Sequence, residues 1–114
     1  MFRVKRVYEP AAKDDGWRVL VDRLWPRGLT KQAAKVDVWQ KEISPSNELR
    51  KWYSHDLKKW PEFQKRYRAE IAKHKEAFAE LKAMEKEHGT VTLLYGSKNT
   101  THNQANALIK FPKG

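Results

Sequence analysis

Two short polar segments of the sequence carry side chains suited to holding an anion. Each segment follows an apolar stretch, at residues 17–22 and 90–95. Guanidinium groups bind carboxylates and phosphates through paired N–H donors, and free N–H groups at the start of a helix attract the same anions. The sequence therefore predicts a basic cleft for a phosphorylated or carboxylated small molecule, including a nucleotide. The predicted binding residues are Arg23, Arg27, Ser97, Lys98, Asn99 and Thr101.

The same segments also permit a purely structural interpretation. Asp22 and Arg23 could pair to fix the loop that follows them, and Thr100 or Thr101 could cap the last helix. No Gly-rich phosphate-binding motif is present to decide between the two interpretations.

His102 and Asp22 are the residues best suited to acid–base catalysis. A histidine near a helix N-terminus favours the neutral imidazole, which can act as a base, and Asp22 could orient it or hold a substrate hydroxyl. The alternative is that His102 is a solvated surface residue, and the sequence leaves open whether the protein is an enzyme.

Other chemistries find little support in the sequence. The chain has no cysteine, which excludes disulfides, thiolate nucleophiles and cysteine-bound metals. Its four histidines lack the spacing of a preformed metal site, and its serines lack the motifs of serine nucleophiles. The sequence predicts neither a metal nor a cofactor.

The charge of the chain raises a second hypothesis, that of a non-enzymatic nucleic-acid-binding module. There are 24 Lys and Arg against 14 Asp and Glu, a formal net charge of +10. Aromatic rings flanked by cations can stack on bases, and the residues predicted to do so are Trp25, Lys51, Lys59 and Trp60. Trp25 and Trp60 each precede a proline and are expected to be exposed. The remaining tryptophans, at 17, 39 and 52, are expected in the core. A third hypothesis is a protein-interaction domain without a pocket.

The elements that must position these residues follow from hydrophobic periodicity. Strands are predicted at 2–7, 17–22, 36–39 and 90–95, the last at the centre of the sheet. The short link between the first two is compatible with an antiparallel pair, and the sequence leaves their direction open. Helices are predicted at 46–54, at 61–87 with a break near His74, and at 101–111, ended by Pro112.

This pattern predicts an α/β fold in which helices flank a small central, at least partly parallel sheet. The 114 residues fit a single domain, 1–114. The first eight residues do not resemble a signal peptide, and no apolar run approaches the roughly 18 residues of a membrane span. A cytoplasmic protein without a membrane partner is expected, and the oligomeric state is not indicated.

Four motifs occur in a fixed order along the chain, VLVDRLWPRGL (19–29), EISPSNELRKWYSHD (42–56), WPEFQKRY (60–67) and LLYGSK (93–98). On these motifs the sequence resembles the bacterial domain of unknown function 488 family over nearly its whole length. The resemblance implies a small α/β domain and supplies no established activity. Longer relatives carry an Asp-Val-Arg motif, where this chain has Asp22-Arg23, and a cysteine- and histidine-containing motif, which Tyr95-Gly96-Ser97-Lys98 replaces. Thiol chemistry is therefore not implied for this chain.

Overall fold

Four parallel strands form the centre of the molecule in a computed structural model that describes residues 1–111. In chain order the strands are β1 (Phe2–Arg6), β2 (Trp17–Leu20), β3 (Val38–Trp39) and β4 (Val91–Tyr95). Their order across the sheet is β1-β4-β2-β3, and every pair of neighbours is parallel. The α/β class is confirmed, and so is the central position of β4, whose five residues are all buried.

The first two strands do not form an antiparallel pair. Each pairs in parallel with β4, which lies between them. The link at residues 7–16 can return to the start of the sheet because ten extended residues span roughly 30 Å, while a five-residue strand is roughly 17 Å long.

A buried ion pair fixes the link between β1 and β2. The Asp15 carboxylate accepts hydrogen bonds from the backbone N–H of Ala12, from Lys5 and from Arg18. Burial of Asp15 acts to raise the pKa of its carboxyl, but these three donors outweigh that effect and hold the pKa below its usual value. The link therefore has a defined path despite its lack of long secondary structure.

Five helices pack around the sheet: α1 (Lys31–Ala34), α2 (Asn47–Tyr53), α3 (Trp60–Lys73), α4 (Lys75–His88) and α5 (Gln104–Leu108). Thr30 caps α1, and Ser46 caps α2. The predicted break near His74 is confirmed, since this residue separates α3 from α4 with a backbone outside the helical region, at φ −117° and ψ 48°.

The last helix begins later than the sequence predicted. The side-chain oxygen of Asn99 accepts the backbone N–H groups of Thr101 and His102, which holds this segment in a turn. The cap of α5 is Asn103, whose side chain accepts the N–H of Asn106, so the prediction of a Thr100 or Thr101 cap is wrong. The predicted end at Pro112 lies outside the described residues.

The core has two parts because alternate residues of a strand point to opposite faces of a sheet. Val19 and Leu93 belong to the larger cluster, which packs against α2 to α5. Leu20 and Leu94 belong to a smaller cluster that includes Ala34 of α1. Within residues 1–111, no helix has both the length and the apolar character needed to cross a membrane.

Candidate functional site

A cavity of about 300 Å³ lies beyond the carboxyl ends of β2 and β4. This is where open parallel sheets commonly bind ligands. Of the predicted site residues, the structure brings Asp22, Arg23, Ser97 and His102 into the lining of this one cavity. The sequence predicted two separate segments at neighbouring strand ends, and the parallel pairing of β2 with β4 brings them together.

Asp22 connects the two strand ends. Its Oδ2 atom accepts the backbone N–H of Gly96 at 2.8 Å, and its Oδ1 atom accepts the side-chain amide of Gln104. Burial raises the pKa of the Asp22 carboxyl to about 6, and this effect outweighs the opposing influence of those two hydrogen bonds and of the Arg50 charge. The carboxyl therefore changes its charge close to neutral pH.

Arg23 does not pair with Asp22, contrary to the structural interpretation of the sequence. Its Nε atom donates to the carbonyl of Pro45 at 3.1 Å, and its Nη2 atom donates to the carbonyl of Ser44 at 3.3 Å. These two bonds attach the cavity wall to the segment that enters α2. They also hold a guanidinium group in a fixed orientation beside the cavity.

Arg50 and Tyr53 of α2 also line the cavity, and neither was predicted from the sequence as a site residue. They are three residues apart, a spacing that places side chains on neighbouring positions of one helical face. Arg50 is exposed and donates to the side chain of Asn47 at 3.0 Å. The helical pattern at 46–54 could have indicated their common face, but not that this face meets the cavity.

The Tyr53 hydroxyl is a buried polar group without a hydrogen-bond partner among the described residues. The residue is only 8% exposed. Burial raises the pKa of the Tyr53 hydroxyl, with a smaller contribution from the charge of Asp56, so the group is a neutral donor at pH 7. Buried donors in native proteins are nearly always paired, which makes this hydroxyl unusual.

His55 extends the same wall with a strained backbone. Ser54 and His55 have φ values of +45° and +59°, in the left-handed region that disfavours residues with a side chain. Ser54 ends α2 by donating its N–H to the carbonyl of Arg50 at 2.9 Å. The two left-handed residues turn the chain so that His55 joins the cavity lining.

Ser97 and His102 complete the opposite part of the lining. The carbonyl of Ser97 accepts the Nε–H of Arg6 at 3.0 Å, and its hydroxyl accepts the N–H of Asn99 at 3.2 Å. The His102 ring lies 4.9 Å from the Trp60 ring and shares a hydrogen bond of 2.7 Å with the Thr101 hydroxyl. The oxygens of Asp22 are taken by Gly96 and Gln104, and the described hydrogen bonds do not join it to His102.

The other predicted ligand-binding residues do not line this cavity. Arg27 and Lys98 are exposed, and the carbonyl of Arg27 accepts the Tyr8 hydroxyl at 2.9 Å. Asn99 and Thr101 form the turn before α5 and bond to each other. The exposed Arg27 and Lys98 thus lie apart from Arg23, which the carbonyls of Ser44 and Pro45 anchor beside the cavity.

The aromatic platform predicted for nucleic acid is not formed. Trp60 is only 7% exposed, because it is the first residue of α3 and its ring stacks on Phe63 at 5.4 Å. Trp25 is half-buried and donates its Nε1–H to the carbonyl of Leu29 at 2.6 Å. The Lys59 ammonium donates to the carbonyl of Trp52, and Lys51 is exposed. The prediction that Trp60 is exposed is therefore wrong.

The structure shows no preformed metal site in the part of the chain that it describes. No three His, Asp or Glu side chains of residues 1–111 come together as potential metal ligands. The chemistry available in the cavity is that of two guanidinium groups, two imidazoles, a buried carboxyl and a phenol.

The fold is that of a small α/β protein with a four-stranded parallel sheet and a polar cavity at the carboxyl edge of that sheet. The chain belongs to the domain of unknown function 488 family, since the model of the inactive DUF488-N3 subclade matches residues 1–112. This confirms the resemblance seen in the sequence motifs.

Proteins similar to this chain occur in distant bacteria. The uncharacterized protein YeaO of Escherichia coli K12 is 48% identical over 101 residues, which cover 89% of this chain and 87% of that protein. The uncharacterized proteins Mb3100c of Mycobacterium bovis and Rv3073c of Mycobacterium tuberculosis H37Rv are each 39% identical over 112 residues, covering 98% of this chain and 93% of theirs. No solved structure matches the chain.

Proposed function

We propose that this protein binds a small acidic molecule, a carboxylate or a phosphate ester, in the cavity at the carboxyl ends of β2 and β4. The observation that carries the proposal is the presence of two guanidinium groups, those of Arg23 and Arg50, in the lining of one cavity of about 300 Å³. A volume of this size lies at the lower end of the range for sites that hold small organic ligands.

The two arginines have different parts in this proposal. Arg23 is held by the carbonyls of Ser44 and Pro45, so it offers a guanidinium that loses little freedom on binding. Arg50 is exposed at the same cavity and closes on the acid group from the side of α2. Asp22 lies between the strand ends, where it can accept a hydrogen bond from a hydroxyl of the ligand.

Binding without turnover is the favoured form of this function. The chain matches the inactive DUF488-N3 subclade of its family, and Tyr95-Gly96-Ser97-Lys98 stands where longer relatives carry a cysteine. His102 and Asp22 remain the residues that a catalytic version of the proposal would use. Measurement of product formation with any ligand that binds would decide between the two versions.

Calorimetric titration tests the binding proposal. Inorganic phosphate, acetate and benzoate are titrated into the wild type, into Arg50→Ala and into Arg68→Ala. Arg68 is an exposed arginine of α3 outside the cavity, so its variant has the same change of charge and serves as the matched control. Loss of a charged hydrogen bond at Arg50 should weaken binding about tenfold or more, whereas Arg68→Ala should change it by less than about twofold.

Two results would refute the proposal. One is the absence of measurable binding for all three acids at low salt. The other is an equal loss of affinity in Arg50→Ala and Arg68→Ala, which would mean that the acids respond only to the net charge of the protein.

Nucleic acid is a second candidate ligand, supported by a basic groove on another surface. The groove is lined by four cations, Lys58, Lys65, Arg68 and Lys110, together with Glu62, whose carboxylate already pairs with Arg66 at 3.1 Å. Such a surface would bind a phosphate backbone with an affinity that falls steeply as salt is added. Titration of a single-stranded oligonucleotide at two salt concentrations tests it, and here Arg68→Ala should weaken binding while Arg50→Ala should not.

A further inference from the structure

Aromatic and aliphatic side chains make up much of the lining of the cavity. Tyr53 and Phe63 both line it, with ring centroids 4.5 Å apart. The His102 ring joins them through its contact with Trp60. Leu24 also lines the cavity and is 63% exposed, which is unusual for a leucine beside a buried core.

An inorganic anion or a short aliphatic acid would leave the exposed Leu24 side chain and the half-buried His102 ring in contact with water. Apolar surface is stabilised when a ligand removes it from water, and aromatic rings add a further preference for tilted or offset contact with another ring. The cavity volume of about 300 Å³ also exceeds what a single phosphate or acetate ion fills. The apolar part of the lining therefore matches a ligand that has an apolar part of its own.

The Tyr53 hydroxyl adds a polar requirement next to these rings. Tyr53 lines the cavity, and its hydroxyl oxygen lies beneath that surface, closed to water and without a partner among residues 1–111. Leaving a buried donor unpaired is costly, so a ligand that brings an acceptor oxygen to this hydroxyl gains affinity. An acid group attached directly to a ring would offer one oxygen to Tyr53 and others to the arginines.

We infer that the ligand is an aromatic acid, a single planar ring with a carboxylate or phosphate attached to it. The ring packs against Phe63, His102 and Leu24, and the acid group binds Arg23, Arg50 and the Tyr53 hydroxyl. This inference rests on the proposed function and narrows it to one chemical class.

Matched pairs of acids test the inference by calorimetry on the full-length chain. Benzoate and acetate have the same charge and differ by the ring, and phenyl phosphate and inorganic phosphate form a second pair. Burial of a ring should make benzoate bind roughly ten- to hundredfold more tightly than acetate. Cyclohexanecarboxylate matches benzoate in size without aromaticity and should bind more weakly than benzoate.

The outcomes separate this inference from the function on which it rests. If acetate and benzoate bind equally well in the cavity, the protein binds acids but the aromatic class is wrong. If cyclohexanecarboxylate binds as tightly as benzoate, the requirement for an aromatic ring is overturned. If none of the acids binds, the proposed function itself fails.

Two variants locate the ring and the hydroxyl contact without disturbing the core. Leu24→Ala changes an exposed residue. It should lower the affinity for benzoate several-fold and leave the affinity for acetate unchanged. Tyr53→Phe keeps the ring and removes the hydroxyl, so benzoate should bind about tenfold more weakly with the thermal stability retained. Unchanged benzoate affinity in both variants would overturn the inference.

Discussion

The Oδ2 atom of Asp22 accepts the backbone N–H of Gly96 at 2.8 Å and so joins the ends of two neighbouring strands, β2 and β4. A Cβ atom on residue 96 would lie 3.0 Å from that oxygen, so a glycine at this position allows the carboxyl to approach the backbone closely. This contact holds the half-buried Asp22 carboxyl at the edge of the cavity, which Asp22 lines.

The buried carboxyl predicts how stability depends on pH. In the folded state the pKa of Asp22 is about 6, against 3.8 as the ordinary value, so between these pH values the folded protein holds a proton that the unfolded chain has lost. The contribution of Asp22 to stability therefore falls as pH rises from 4 to 6. A difference of about two pKa units corresponds to at most about 3 kcal/mol.

Asp22→Asn isolates this contribution because asparagine keeps the shape and one acceptor oxygen. Relative to the wild type, the variant should gain up to about 3 kcal/mol in free energy of unfolding between pH 4 and pH 7. Urea denaturation at a series of pH values measures the difference. A difference between the two proteins that does not vary with pH would show that Asp22 titrates normally.

Two buried tyrosines should respond in opposite ways to loss of the hydroxyl. The Tyr67 hydroxyl donates to the carbonyl of Ile43 at 2.5 Å inside the core, whereas the Tyr53 hydroxyl has no partner among the described residues. Tyr67→Phe should therefore lower the free energy of unfolding by about 1–3 kcal/mol, whereas Tyr53→Phe removes an unpaired buried donor and should raise it by up to about 1 kcal/mol. Chemical denaturation of both variants at one pH makes the comparison, and equal losses would contradict the assignment of Tyr53 as unpartnered.

Gly16 and Gly28 share a positive φ and have very different surroundings. Both have positive φ, +65° and +83°. A Cβ on residue 16 would lie 2.3 Å from the carbonyl oxygen of Thr90, whereas one on residue 28 would have no neighbour within 4 Å. Gly16→Ala should cost on the order of 3 kcal/mol or more, and Gly28→Ala about 1 kcal/mol.

Thermal unfolding of these two alanine variants provides the measurement. The Gly28 variant controls for positive φ, so the excess loss in the Gly16 variant reports the contact with Thr90 together with the ψ of −133° at Gly16. Similar melting temperatures would mean that the start of β2 does not lie against the start of β4 as described.

The hydrophobic pattern was sufficient to predict the parts of the fold that depend on long periodic segments. The fully apolar β4 and the paired helices α3 and α4 with their break at His74 are of this kind. In contrast, the placement of Trp60 inside α3 could not be predicted from periodicity. It depends on Pro61, a residue that is tolerated in the first turn of a helix. The helix was predicted to begin at Pro61 and Trp60 to be exposed before it, but Trp60 is itself the first residue of α3 and is buried.

The sequence predicted the site only to the extent that it predicted which strands end near one another. Apolar strands followed by polar residues placed Asp22, Arg23 and Ser97 near one another. The sequence could not show that Arg23 would meet two backbone carbonyls instead of Asp22, because charge patterns do not specify backbone partners. Nor could the sequence reveal the role of Tyr53, because that role depends on a buried hydroxyl without a hydrogen-bond partner among the described residues.

Amide NMR spectra of nitrogen-labelled protein during a benzoate titration would show whether acids bind in the cavity. We predict shifts that concentrate at Arg23, Leu24, Gly96 and Gln104 and that persist at physiological salt. Shifts that instead follow the basic groove at Lys58, Lys65 and Arg68, and that disappear with salt, would contradict binding in the cavity.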